Sequence, residues 1–183
     1  VKYPTTTAER AALSAGFLQA SHLPNVYGSV DGTIIKLQTV FSPARLRHVF
    51  RPRMRKEVAL NVIIVCDARG KVLYFDASSP GSYHDSRVLQ ESDLWTFEEG
   101  RQPDGYALIG DKAFPCKHWL MPAHKNPATG NMTRDKTNFN KWQCKARTVN
   151  ENVMRRLKAA FPILGRIARI TPETLSKVVA TCI

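Results

Sequence analysis

Three acidic residues stand where carboxylates can do chemistry. Asp31 sits in the run Gly28-Ser-Val30-Asp31-Gly32-Thr-Ile34-Ile35-Lys-Leu37, whose β-branched content predicts a strand carrying the acid. The Asp31-Gly32 pair also suits a tight turn, and the motif alone leaves both readings open. Asp111 follows Tyr106-Ala107-Leu108-Ile109-Gly110, so it is expected directly after a short buried strand. Glu151 lies within the helical repeat Trp142, Ala146, Val149, Val153, Leu157, Phe161. Carboxylates crowded at one point repel one another and resist desolvation, so such a cluster is unfavourable without a cation. An all-oxygen set suits a hard divalent ion, Mg²⁺ or Mn²⁺. Two such ions roughly 4 Å apart can activate water on one side of a phosphodiester and stabilise the leaving oxygen on the other.

The elements that must position these acids follow from pattern. Thr6 and Glu9 form a T-x-x-E capping box ahead of an Ala-rich helix that runs through Leu18 and stops before Pro24. The apolar runs Leu60 to Cys66 and Lys71 to Phe75 flank Asp67-Ala68-Arg69-Gly70, which has hairpin-turn chemistry. With the Asp31 strand they make three strands in a row, and Ser79-Pro80-Gly81-Ser82 is expected to break the chain after them. Ser86 to Leu94 predicts one helix, Lys117 to Thr137 a projecting loop, and a long helix runs from about Asn138 to Pro162. Thr171 and Pro172 provide the N-cap and first position of a last helix. The expectation is a single α/β unit over residues 1–183, a mixed sheet flanked by helices. If the first and fourth strands lie side by side, Asp31 and Asp111 meet.

The chain of 183 residues carries a formal net charge of +12, which favours phosphate backbones or anionic membranes as partners. No apolar run approaches the roughly 20 residues needed to span a bilayer, and Val1 to Arg10 lacks a signal-peptide pattern. Membrane association is therefore not expected. Cys66, Cys116, Cys144 and Cys182 form no CxxC pair and read as reduced thiols; Cys116, His118 and His124 match no zinc template. Asp31 and Asp111 as the acid and base of a glycosidase fit poorly with so basic a chain and a neutral sugar.

Arg45, Arg47, Arg51, Arg53, Arg55 and Lys56, interrupted by Phe50, form a basic stretch that suits either a solvated face or a loop contacting DNA phosphates. Arg147, Arg155 and Lys158 surround Glu151 at i−4, i+4 and i+7. Glu151 is thus either a surface acid held by helix salt bridges or a metal ligand on a DNA-facing surface. Asp85 precedes the Ser86 helix and is either its N-cap or a further metal ligand. Asp67 and Asp76 read as structural.

Five ordered motifs resemble the catalytic domain of PIF/Harbinger-type DDE transposases and the nucleases derived from them. They are Gly28-Ser-Val-Asp31-Gly32-Thr33; Val65-Cys66-Asp67-Ala-Arg-Gly70; Pro80-Gly81-Ser-Tyr-His84-Asp85-Ser-Arg-Val-Leu89; Leu108-Ile-Gly110-Asp111-Lys-Ala-Phe-Pro115; and Arg147-Thr-Val-Asn-Glu151-Asn152 on to Leu157-Lys158. The resemblance covers about Pro24 to the C-terminus. It implies an RNase H-like fold, Asp31, Asp111 and Glu151 as catalytic metal ligands, and cleavage of double-stranded DNA. It also implies a Myb- or SANT-like accessory protein and a nuclear location, with presence in the cytoplasm as well. The family's small-aromatic-glycine run after Glu151-Asn152 is replaced by Val153-Met154-Arg155. The family's N-terminal helix-turn-helix region is not within these residues, so the chain is expected to be a truncated copy, able to keep the fold with or without activity.

Overall fold

The computed structural model describes residues 1–37, 58–166 and 170–183. The basic stretch with Arg45, Arg47, Arg51, Arg53, Arg55 and Lys56 lies outside the described residues. In chain order the elements are α1 (Thr7–Ser21), β1 (Val26–Leu37), β2 (Val58–Cys66), β3 (Val72–Pro80), α2 (Asp85–Gln90), α3 (Asp93–Glu99), β4 (Ala107–Gly110), β5 (Leu120–Pro122), α4 (Arg134–Ala160), α5 (Pro162–Gly165) and α6 (Pro172–Cys182).

The strands form one mixed sheet in the order β3-β2-β1-β4-β5. β1 pairs antiparallel with β2 and β2 antiparallel with β3, whereas β4 runs parallel to both β1 and β5. Asp31 and Gly32 pair with Ile64 and Ile63, so they belong to the strand and form no turn. The β2–β3 turn is closed by Asp67, whose Oδ1 accepts from the Arg69 and Lys71 amides, and by Gly70 at φ 83°, a conformation glycine adopts without a steric penalty.

β2 shows why its sequence reads as an unbroken apolar run: both faces of the sheet are covered. Leu60, Val62, Ile64 and Cys66 pack with Val153, Met154, Leu164, Leu175 and Val179 on the side of α4, α5 and α6. Ile63 and Val65 pack with Val88, Leu89 and Leu94 on the side of α2 and α3. Val153 and Met154, which depart from the family pattern, are thus core residues. This is the α/β RNase H-like arrangement expected. Among the described residues no helix is long and apolar enough to cross a membrane.

Several boundaries differ from expectation. β3 does not stop at Phe75 but continues through Pro80, which pairs with Leu60. As an edge strand it tolerates a proline that a central strand would not. The predicted helix from Ser86 to Leu94 is two helices, because Ser92 donates to the Leu89 carbonyl while accepting from the Trp95 amide, capping α3. The predicted loop from Lys117 contains β5, too short to leave a periodic signal. α4 starts at Arg134, where Thr133 caps it, and its expected apolar stripe is only partly used. Ala146 and Val153 are buried, but Trp142 and Phe161 are 39% and 38% exposed. Gln143, Asn150 and Met154 turn inward instead. The capping box of α1 and the Thr171-Pro172 start of α6 form as expected.

Candidate active site

β1 side chains alternate across the sheet, as any strand's must. Ile35 and Leu37 join the cluster under α4, whereas Val30 joins the cluster under α2 and α3. By this alternation Asp31 projects toward α4. Parallel pairing of Ser29 with Ile109 brings the end of β4 alongside, and Asp111 follows β4 by one residue.

What joins the two acids is an arginine. Arg147 on α4 donates from Nη2 to Asp31 Oδ2 at 3.1 Å and from Nη1 to Asp111 Oδ1 at 3.4 Å. Asp31 and Arg147 are largely buried, Asp111 less so. Burial pushes the Asp31 carboxyl above its ordinary range; the positive charge of Arg147 and the Gly32 amide oppose this shift, and the charge of Asp85 adds to it.

The helix is fixed over the sheet by polar groups. Gln143 Nε2 donates to the Gly110 carbonyl, and buried Asn150 donates to the carbonyls of Ser29 and Ile64 at 2.7 and 3.2 Å. Cys66 donates to Asn150 Oδ1, and Lys158 donates to Thr33 Oγ1 at 2.6 Å and to the Ile34 carbonyl at 3.3 Å. These anchors fasten α4 across β1 and β4. Gln143, Arg147 and Asn150 follow i, i+4, i+7, a polar helical stripe beside the apolar one. That polar period is the signal that could have revealed these anchors.

Asp85 is not the N-cap considered for it. His84 is the N-cap of α2 and makes no side-chain cap bond, so Asp85 is the first helical residue. Its Oδ1 accepts from Asn61 Nδ2 at 2.7 Å. A Cβ at Gly32 would lie 2.3 Å from Asp85 Cγ, so the missing side chain at position 32 makes room for the carboxylate. Asn61 and Ile63 point to the α2 face, and Asp85 therefore approaches β1 from the side opposite Asp31.

Glu151 is exposed, and among the described residues its side chain makes no hydrogen bond or ion pair. The helix salt bridges considered for it are not made: Arg147 reaches the two aspartates, and Arg155 bonds Asn152. Glu151 nevertheless lies one turn beyond Arg147 on the same helix face.

The donors Asp31 and Asp111 are all oxygen and converge on one cation, which fits a hard divalent ion bound by two carboxylates with the remaining positions left to water or phosphate. Among the described residues no three His, Cys, Asp or Glu side chains stand close enough to share an ion. Neither Asp85 nor Glu151 joins the pair in such a group, and Cys116, His118 and His124 form none either.

The family model described as DDE superfamily endonuclease matches residues 30–183. The human protein named "Putative nuclease HARBI1" is 29% identical across the whole of this chain and 51% of its own length. Its namesakes in Xenopus laevis and Rattus norvegicus are 30% and 28% identical over the same shares. The chain thus spans about half the length of the curated relatives it matches. No solved structure gives a significant match.

Proposed function

Because the chain belongs to the DDE superfamily endonuclease family, we propose that it is the catalytic domain of a divalent-metal-dependent DNA endonuclease of the transposase kind, cutting phosphodiesters by a two-metal-ion mechanism. The observation that carries this reading is the convergence on Arg147 of Asp31 from β1 and Asp111 from just past the end of the adjacent β4. The similarity to relatives named as nucleases supports it.

Asp31 and Asp111 would hold the Mg²⁺ or Mn²⁺, with Glu151 as the third ligand. When bound, the ions supply an activated water and offset the charge on the leaving oxygen. The remaining work falls to the chain's own residues. Arg147 offsets part of the charge of the carboxylate pair before substrate arrives, and its guanidinium matches the geometry of a phosphate as well as that of a carboxylate. Its exchange from acid to phosphate couples opening of the site to arrival of DNA. Gln143, Asn150 and Lys158 hold α4 still while this happens. Arg155 and the basic stretch from Arg45 to Lys56 contact the DNA backbone, so affinity falls steeply as salt rises. A Myb- or SANT-like partner and a nuclear location belong to the same proposal.

A plasmid-nicking assay with Mg²⁺ or Mn²⁺ tests the reading. The wild type nicks, and Asp31→Ala or Asp111→Ala loses at least about a hundredfold of the rate; nicking that survives either substitution overturns the assignment. A second reading, a domesticated module that binds DNA or a partner without cutting, is favoured by Glu151 standing apart from the aspartates. Tight DNA binding with no nicking by the wild type would select it.

A further inference from the structure

Beside Asp111 the surface opens into a cavity of about 610 Å³, bounded on one side by α4 and on the other by residues 123–126. Polar bonds build its walls. Gln143 ties α4 to the Gly110 carbonyl, and Asn140 clamps the opposite wall by accepting from the His124 amide at 2.8 Å and donating to the His124 carbonyl at 2.9 Å. The clamp presents the exposed His124 ring, whose edge rests on Phe139 with centroids 5.2 Å apart. Ala113 and Ala123 add apolar wall, and Lys112, Lys125 and Arg147 add positive charge. Lys112 and Lys125 make no ion pair among the described residues.

We propose that this cavity receives one unpaired nucleotide of a DNA strand splayed from the duplex beside the scissile phosphate, with its base against His124 and its phosphate between Lys112 and Lys125. The proposal rests on the nuclease reading above and adds the form of DNA that the site takes. A duplex, whose major groove alone is about 12 Å wide, lies across an open recess of about 610 Å³ and does not enter it whole. A single nucleotide can: cavities of about 300–1,000 Å³ hold small ligands. An aromatic ring with flanking cations is the combination that binds single strands without reading sequence. Extruding a paired base costs a few kcal/mol, least where the base is already unpaired. DNA with a single-stranded flank should therefore bind more tightly than continuous duplex.

Fluorescence anisotropy with metal omitted reads this directly, comparing a blunt duplex with the same duplex carrying a short single-stranded flank. The wild type should prefer the flanked form about tenfold. His124→Ala and Lys125→Ala should bring that ratio close to one; His124→Phe, which keeps an aromatic face, should restore it, whereas His124→Leu, which keeps only apolar packing against Phe139, should not. Thermal melts confirm that each variant is folded, and Asn140→Ala, which releases the His124 clamp, lowers the ratio while leaving the ring itself unaltered. A ratio near one in the wild type, or an unchanged ratio in the variants, overturns the proposal while leaving duplex binding and nicking intact. Failure to bind DNA in any form would overturn the nuclease reading itself and the proposal with it.

Discussion

Arg147 and Asp31, 116 residues apart in sequence, meet at 3.1 Å with 17% and 18% of their side chains exposed, and the same guanidinium reaches Asp111. A cation between two carboxylates is what a divalent ion would have to replace. Removing it leaves two like charges close together, which raises the affinity of the pair for an ion and destabilises the ion-free protein.

Arg147→Ala is therefore expected to melt at a lower temperature without metal and to gain more from Mg²⁺ than the wild type does. Tenfold tighter binding corresponds to about 1.4 kcal/mol, and ligand-linked stabilisation transmits such a difference to the melting temperature. Thermal melts across a Mg²⁺ titration measure both effects. Equal Mg²⁺-induced shifts in the two proteins would show that Arg147 does not compete for the acids.

The contact of Asp85 with Gly32 gives a second prediction. At 2.3 Å from Asp85 Cγ, a methyl group at position 32 has no room, and the obstacle is a carboxylate already tied to Asn61. Gly32→Ala should destabilise the fold by about 1–3 kcal/mol, the usual range for overpacking. Gly32→Ala combined with Asp85→Ala removes the obstacle and should recover part of the loss. Chemical denaturation of the single and double variants gives the coupling; strict additivity would show that the two positions do not touch.

The frame of the site was legible because local signals agreed with tertiary packing. The β-branched run around Asp31 and the apolar run before Asp111 named the right strands, and their order allowed the side-by-side placement that β1 and β4 take. α4 was legible in length but not in facing. Trp142 and Phe161 fit the apolar period yet are partly exposed, while Gln143 and Asn150 are buried because backbone carbonyls of β1, β2 and β4 await their amides. Hydrophobic periodicity has no way to register that demand. The same gap hid Arg147, which from sequence alone was a surface cation.

Glu151 tests how far the acid set extends. Exposed and without a side-chain partner among the described residues, it contributes little to stability, so Glu151→Gln should change the unfolding free energy by no more than about 0.5 kcal/mol. If it ligates an ion during catalysis, the same change should lower nicking by at least about a hundredfold. Full activity in the glutamine variant would leave Asp31 and Asp111 as a two-carboxylate site.

Away from the site, α1 is locked to the segment before β4 by a buried ionic network that should govern the acid and alkaline limits of the fold. Glu98 accepts from Tyr3 and Tyr27 at 2.7 and 3.1 Å and pairs with Arg101 at 2.8 Å and Arg10 at 3.5 Å, while Arg10 and Arg101 also pair with Asp104. Glu98→Ala leaves the fully buried Arg10 without one of its carboxylates and should cost about 3–5 kcal/mol. Burial raises the Asp104 pKa, but hydrogen bonds from Arg101, the Tyr106 amide and Arg10 outweigh it and lower the value to about 2. A carboxylate lowered on folding stabilises above its unfolded value of about 3.9, so that contribution should disappear as pH falls from about 4 to 2. Burial raises the Tyr3 and Tyr27 phenols, so stability should also fall once pH passes their unfolded value of about 10. Denaturant midpoints measured from pH 2 to 11 should form a plateau with both shoulders, and Asp104→Asn should flatten the acid one. An acid shoulder unchanged in Asp104→Asn would assign it to other carboxylates.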